Sequence, residues 1–425
     1  MTREELYKLY DNKPSTLLDD ALISRLTPLT GVRFDDLRLY YESDTEFSQA
    51  EAAEDVETFF ELLRLCYAGY EYYAARVDFD KVKAEIIADL NIDQITRRDI
   101  ANAIYSHLSP VINDSHFAIF PDEALRFTRL YHAFFTGLTV SPDGDGYTVV
   151  VGTEEITTGY TFDAGDLEGY LFETLPAHDG TRRYLVGVYT DKLPESLNIG
   201  ELTLPLHACR TDSVSYDGSV MEREEKGIPV VHHSAYDNGV FNWDYDSFRR
   251  SGASLRDAPH LIWSVLSNPG GNSNYPMHFI DALNDNAVWE MQVVVLNNPL
   301  LPVGCSENVH RFDGVHLSEQ LDMSKSSYNG TLYVLQNKGV ASSGEAALMY
   351  ARSVKNVRFI GTASMGCGQY GECRLYCLPH SHLAFQMGYK VFNMDGFEEG
   401  KGLYPDYWLD SDDPIGDVAA WIRCQ

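Results

Sequence analysis

Long apolar runs are missing from this sequence of 425 residues. No stretch approaches the roughly 18–20 apolar residues that a membrane helix needs, so no membrane insertion is expected. The opening, Met1 to Lys13, is polar and charged and carries no apolar signal region. That points to a cytoplasmic protein, or to the cell envelope or secretion if a leader has been removed. Positive charge is also scarce: 33 Lys and Arg stand against 63 Asp and Glu, a formal net charge of −30. Such a surface repels a phosphate backbone, which excludes non-specific nucleic-acid binding and adhesion to anionic membranes. Cysteine is sparse and scattered. The seven are Cys66, Cys209, Cys305, Cys367, Cys373, Cys377 and Cys424. An odd, dispersed set in a long chain is no disulfide framework and leans toward a reducing compartment.

What is present is ordinary globular material, 44% hydrophobic and 23% charged. At roughly 100–200 residues per domain, two or three domains are expected. From Ser48 to Arg76 apolar residues recur at helical steps: Phe59, Leu63, Cys66 and Tyr70. A second helix is expected over Phe79–Leu90. A third follows Thr96, which pairs with Asp99 as a capping box, with Ile100, Ile104 and Leu108 on one face. After Pro110 a turn at Asn113-Asp114 enters a short strand. Residues 127 to about 225 read as strands separated by turns at Pro142–Gly146, His178–Gly180 and Tyr216–Gly218. From Gly227 strands and helices alternate, which argues for a largely parallel sheet with crossover helices. The expected fold is α+β and multidomain: an N-terminal helical domain (1–125), a central β-rich region (126–226) and a C-terminal α/β domain (227–425).

Four segments carry candidate chemistry. Ser342-Ser343-Gly344-Glu345 stands between an apolar strand and an amphipathic helix. A serine there presents its hydroxyl at the mouth of a sheet, beside helix N-terminal N–H groups that can hold an oxyanion. Ser-x-x-Glu is also a plain capping box. Leu261–Leu266 runs into Asn268-Pro269-Gly270-Gly271, where paired glycines let backbone approach a ligand closely. The same residues also read as an ordinary turn. His116, in Asp114-Ser115-His116, is a candidate general base, or one of thirteen histidines that happens to start a strand. Glu399-Gly400-Lys401-Gly402 offers a carboxylate to orient a histidine, or forms a solvated acidic turn.

In this order and context the four segments resemble the tail-specific (C-terminal processing) serine protease family, over roughly residues 100–125 and 227–415. The resemblance implies a crotonase-like (Clp-protease-like) catalytic domain for 227–425. It places the nucleophile on Ser342. One branch of the family uses a lysine about 25 residues later; here Cys367 stands there, and a thiol cannot replace a neutral amine as base. The chain is nearer the tricorn-core-like branch, which uses Ser, His and Glu. That implies Ser342 as nucleophile, His116 as base and Glu399 as its orienting carboxylate, acting with Ser115. The N–H groups of Ser343 and Gly270, or Gly271 nearly as well, would form the oxyanion hole. Where the family carries Asp and Arg before the glycines, this chain has Ser264 and Leu266.

The resemblance thus implies a serine endopeptidase or carboxyl-terminal processing peptidase. It would act on a peptide or an unfolded protein tail through an acyl-enzyme, without a cofactor, with its active site between the N-terminal and C-terminal domains. Three other readings compete. A catalytically inactive member would bind a peptide or small ligand. A zinc site has Cys367, Cys373, Cys377, His380 and His382 available, but no Cys-x-x-Cys pair and no His-Glu-x-x-His. Those residues read equally as a β-hairpin. A CoA-binding crotonase is disfavoured by the −30 charge.

Overall fold

The computed structural model describes residues 3–10, 20–41, 45–121, 123–215, 221–236, 244–296, 299–302 and 316–425. The turn expected at Tyr216–Gly218 and Cys305 lie outside the described residues. The chain is mixed α/β and gathers into two compact units, each drawn from three stretches of sequence.

The first unit comprises Met1–Arg129, Met291–Ser318 and Cys367–Gly400. Its helices begin where the caps dictate. Ser48 N–H donates to Glu51 Oε2 at 2.8 Å and Glu51 N–H returns to Ser48 Oγ at 3.3 Å, opening the helix Gln49–Cys66. Thr96 and Asp99 do the same for Arg97–Leu108, at 2.9 and 3.2 Å. Two reciprocal bonds satisfy two of the orphan donors that every helix start leaves open. The apolar stripes then bury Phe59, Leu63, Cys66, Ile100, Ile104 and Leu108. They lie in one core with an antiparallel sheet built on Ala384–Asn393. That strand pairs with Asp114–Phe120, Gln292–Val295 and Tyr370–Cys377. Phe117 stacks on Phe127 at 4.6 Å, and Phe385 meets Phe59 at 4.9 Å.

The second unit comprises Leu130–Glu290, Glu319–Gly366 and Lys401–Gln425. Ile228–His232, His260–Ser264, Thr331–Gln336, Val357–Gly361 and Tyr407–Trp408 lie side by side and parallel. Their nearly unbroken apolar runs suit strands buried on both faces. Trp408 then pairs with Thr174, which joins the parallel strands to an antiparallel run through Arg183–Thr190, His132–Asp143 and Gly146–Val151. The β-rich stretch and the α/β stretch therefore share one sheet.

The stretches 1–125, 126–226 and 227–425 do not map one to one onto these units. Residues 291–318 and 367–400 cluster with the N-terminal helices. Periodicity along a chain reports which residues face a core, but not which distant strand supplies the neighbour. Among the described residues no helix is long and apolar enough to cross a membrane.

Candidate active site

In the second unit, the strand Thr331–Gln336 turns sharply into the helix Ser343–Ala351 through Ser342. Ser342 has φ +52° and ψ −120°. An ordinary N-cap lies in the β region, so a cap alone does not account for this backbone. A non-glycine residue held there costs on the order of 1–3 kcal/mol and persists only where its surroundings over-determine it. They do so here through Glu345, which is 1% exposed. Its Oε2 accepts the Ser342 N–H at 3.2 Å, and its Oε1 accepts Ser364 Oγ at 2.6 Å and Gly366 N–H at 2.7 Å. Lys338, also buried, secures the approach to the turn. Its ammonium donates to Tyr189 Oη at 3.1 Å, Ser364 O at 3.0 Å and Met365 O at 3.1 Å. Burial brings its pKa down to about 8, against the pull of Glu345 and Asp212. Sequence reasoning does not single out Lys338; a lysine directly after an apolar strand is the signal that could have found it.

The Asn-Pro-Gly-Gly loop packs against this turn. A Cβ on Gly270, where φ is +105°, would lie 2.8 Å from Ala341 O, 2.9 Å from Ser342 Cβ and 2.9 Å from Ser343 N. Only glycine fits. The Gly270 N–H donates to Asn268 Oδ1 at 2.9 Å, so it is spent. Gly271 has φ +126°, and its carbonyl accepts Ser343 Oγ at 2.7 Å. Among the described residues the N–H groups of Gly271 and Ser343 meet no protein acceptor. Gly344 is required for space, since a Cβ there would stand 2.6 Å from Asn268 O. Of the two departures from the family pattern, Leu266 is buried in an apolar cluster with Ile415 and Val418, and Ser264 Oγ bonds His232 Nδ1 at 2.9 Å.

The first unit holds the other candidates. Asp114 opens the strand Asp114–Phe120, and its Oδ1 accepts the N–H of His116 at 2.7 Å and of Phe117 at 3.2 Å. Burial pushes the Asp114 carboxyl up to about 7. Glu399, 5% exposed, accepts the Ser115 N–H on Oε1 and the Gln369 N–H on Oε2, both at 2.9 Å. Its own carbonyl accepts Asn113 Nδ2 at 3.0 Å. Ser115 Oγ lies 2.9 Å from Thr128 Oγ1. The His116 imidazole is pushed down to about 4 by burial and by Arg126, so it is neutral at pH 7. Cys367 Sγ lies 3.5 Å from His116 Nδ1 and 3.6 Å from Nε2. Near-equal distances mean the sulfur packs on the ring without addressing one nitrogen. The sequence marks Cys367 as a missing lysine and as one of five candidate zinc ligands. This contact, across 251 residues, has no signal in the chain.

Thus Ser342, Ser343, Gly270 and Gly271 gather in the second unit, and Ser115, His116 and Glu399 in the first. Glu399 supports a direct prediction. In Glu399→Gln an amide NH₂ replaces one acceptor and faces a backbone N–H. The variant should lose about 1–3 kcal/mol of stability, measured by urea unfolding against wild type. Four of the five residues of the zinc reading lie along a hairpin, in which Tyr370–Cys377 pairs with Ala384–Asn393 and His380 Nε2 bonds Glu54 at 2.9 Å, while Cys367 precedes it. Among the described residues no cluster of three or more His, Cys, Asp or Glu could hold a metal ion.

No curated protein sequence matches the chain. Residues 240–409 match the model of peptidase family S41. The chain resembles the structure of mature CPAF complexed with lactacystin, at 12% identity over 88% of this chain and 97% of that one, with a TM-score of 0.49. It resembles the photosystem II D1 C-terminal processing protease at 12% identity, over 88% and 98% of the two chains, with a TM-score of 0.40. It also resembles the tricorn protease at 14% identity, over 88% of this chain and 37% of that one, with a TM-score of 0.39. The matched stretch holds both the Asn-Pro-Gly-Gly loop and the Ser342 turn, and over residues 240–409 the chain is similar to peptidase family S41.

Proposed function

We propose that the chain hydrolyses peptide bonds through an acyl-enzyme formed on Ser342, with His116 as general base and Glu399 as the carboxylate that supports it. The observation that carries this reading is the backbone of Ser342, held at φ +52° by the buried Glu345, beside the N–H groups of Gly271 and Ser343, which meet no protein acceptor among the described residues. Strain stored at one residue is a pointer to function. Ser342 Oγ attacks the scissile carbonyl carbon. His116 takes the hydroxyl proton and returns it to the leaving amine. Water, deprotonated by the same imidazole, then releases the acyl group. The N–H groups of Ser343 and Gly271 receive the oxyanion, each worth roughly 3–4 kcal/mol at the transition state. His116 enters the reaction neutral at pH 7, as a base must, because its pKa is held near 4. Glu399 acts on it through the Ser115 backbone, whose N–H it accepts at 2.9 Å.

The catalytic region is read as crotonase-like, and the substrate as a peptide or an unfolded protein tail. Such a substrate would bind by strand addition, in which main-chain hydrogen bonds give affinity with little sequence preference. A fluorophosphonate probe tests the reading without a known substrate. Peptide mapping should find the label on Ser342 alone and none in His116→Ala. A folded wild type that takes no label between about pH 5 and 9 would instead favour an inactive, ligand-binding member of the family.

A further inference from the structure

Asn268 is fully buried, and each of its polar groups is engaged. Its Nδ2 donates to His233 O at 2.9 Å, and its Oδ1 accepts the Gly270 N–H at 2.9 Å. Its backbone carbonyl accepts the Ala341 N–H at 2.9 Å, one residue before Ser342, and its own N–H donates to Val265 O at 3.0 Å. One residue therefore joins the end of the strand Ile228–His232, the glycine loop and the nucleophile turn. The anchor on the strand side is itself fixed. The His233 ring accepts the Trp263 indole N–H at 3.0 Å and lies between Phe248 and Phe279, with centroids at 4.8 and 5.0 Å. Burial pushes His233 down to about 3, so the anchor is uncharged.

We infer that Asn268 is a positioning residue that selects which glycine serves the reaction. By taking the Gly270 N–H onto its own Oδ1, it removes that donor from use. It also sets the loop so that the next N–H, that of Gly271, is presented beside Ser343. A turn held by Pro269 and two glycines has many backbone states, and the amide restricts it to one. The inference rests on Ser342 being the nucleophile.

Asn268→Asp separates the two ends of the amide at almost constant shape. When ionised, the introduced carboxylate still accepts the Gly270 N–H but turns an anionic oxygen toward His233 O, which needs a donor. Protonation restores that donor, and burial raises a carboxyl pKa toward neutrality. The probe is the fluorophosphonate, and its maximal inactivation rate and half-saturating concentration are measured from about pH 5 to 8. At pH 8 the maximal rate should fall by about 10²–10³-fold, the cost of one misplaced oxyanion donor, with half-saturation unchanged. The ratio of mutant to wild-type rate should then climb as pH is lowered. A purely structural role would move both parameters or neither, and would not recover in acid. A ratio that stays flat with pH, while wild type labels normally, overturns the inference and leaves Ser342 in place. Absence of label in wild type overturns both. If Asn268→Asp does not fold, ¹⁵N-glycine labelling of wild type reads the same point. On adduct formation the Gly271 amide signal should shift and the Gly270 signal should not, and the reverse pattern would exclude Asn268 as the selector.

Discussion

Ser342→Ala is expected to lower peptide hydrolysis by about 10⁴–10⁶-fold and to abolish fluorophosphonate labelling, with the fold retained. The magnitude follows from the way a nucleophile and its base act as one unit: once the nucleophile is gone, only binding and the oxyanion donors remain. Retention of the fold follows from what holds the turn. Glu345 grips the Ser342 backbone N–H, and its other oxygen is tied to Ser364 and Gly366. None of these bonds to the Glu345 carboxylate involves the Ser342 hydroxyl, which faces the Glu345 N–H in the capping box. A companion variant makes the strain visible. Ser342→Gly removes the Cβ from a backbone at φ +52°, where glycine is at ease. It should match or exceed wild type in thermal stability while being as inactive as the alanine variant. Equal loss of stability in both variants would mean that the hydroxyl supports the turn and that the strain is not stored for chemistry. Appreciable hydrolysis by Ser342→Ala would remove Ser342 from the mechanism altogether.

The serine turn is legible in the sequence because its signals are local. An apolar strand, a Ser-x-x-Glu and an apolar helix occupy about twenty consecutive residues, and each follows from periodicity or capping. The helix after Ser48 is legible from apolar periodicity, and the helix after Thr96 also from its Thr96–Asp99 cap, which forms. What the sequence does not display is which group an N–H meets through space. Gly270 and Gly271 look alike as letters. They differ because Asn268 Nδ2 reaches His233 O, 35 residues away, and Oδ1 turns back on Gly270. Cys367 is visible as a residue that is not lysine and as a candidate zinc ligand, while its place against His116 depends on the strand Asp114–Phe120 and on residues after Gly366 falling in one unit. Glu345 reads as half of a capping box, yet its second oxygen is taken by Ser364 and Gly366. Local grammar thus locates the candidate nucleophile, and tertiary partners decide how its neighbours are used.

His116→Ala should cost about 10⁴-fold or more in hydrolysis, and it should also erase the acid limb of the pH–rate profile. In wild type that limb should fall near pH 4 and not near the 6.5 of an ordinary imidazole, because burial and Arg126 both disfavour the charged ring. The free enzyme's base must be unprotonated, so the rate should hold nearly flat from pH 8 down to about 5 and drop tenfold per unit below about 4. Acid also erodes the fold in this range. His116 and His232, both held near 4, and His233, held near 3, fold as neutral rings. In the unfolded chain each protonates near 6.5. At these three histidines more protons are therefore bound by the unfolded state, so their contribution to stability is full above about pH 6.5 and declines as pH falls toward these folded pKa values. Chemistry and unfolding separate in time: in a pH jump, the labelling rate in the first milliseconds reports the folded enzyme, and tryptophan fluorescence reports its loss. In His116→Ala the early rate should be low and independent of pH, while the slower unfolding phase still accelerates in acid because His232 and His233 remain. An acid limb that survives the substitution would place the essential base on another residue, and a wild-type limb near 6.5 would show that the imidazole is solvated when it acts.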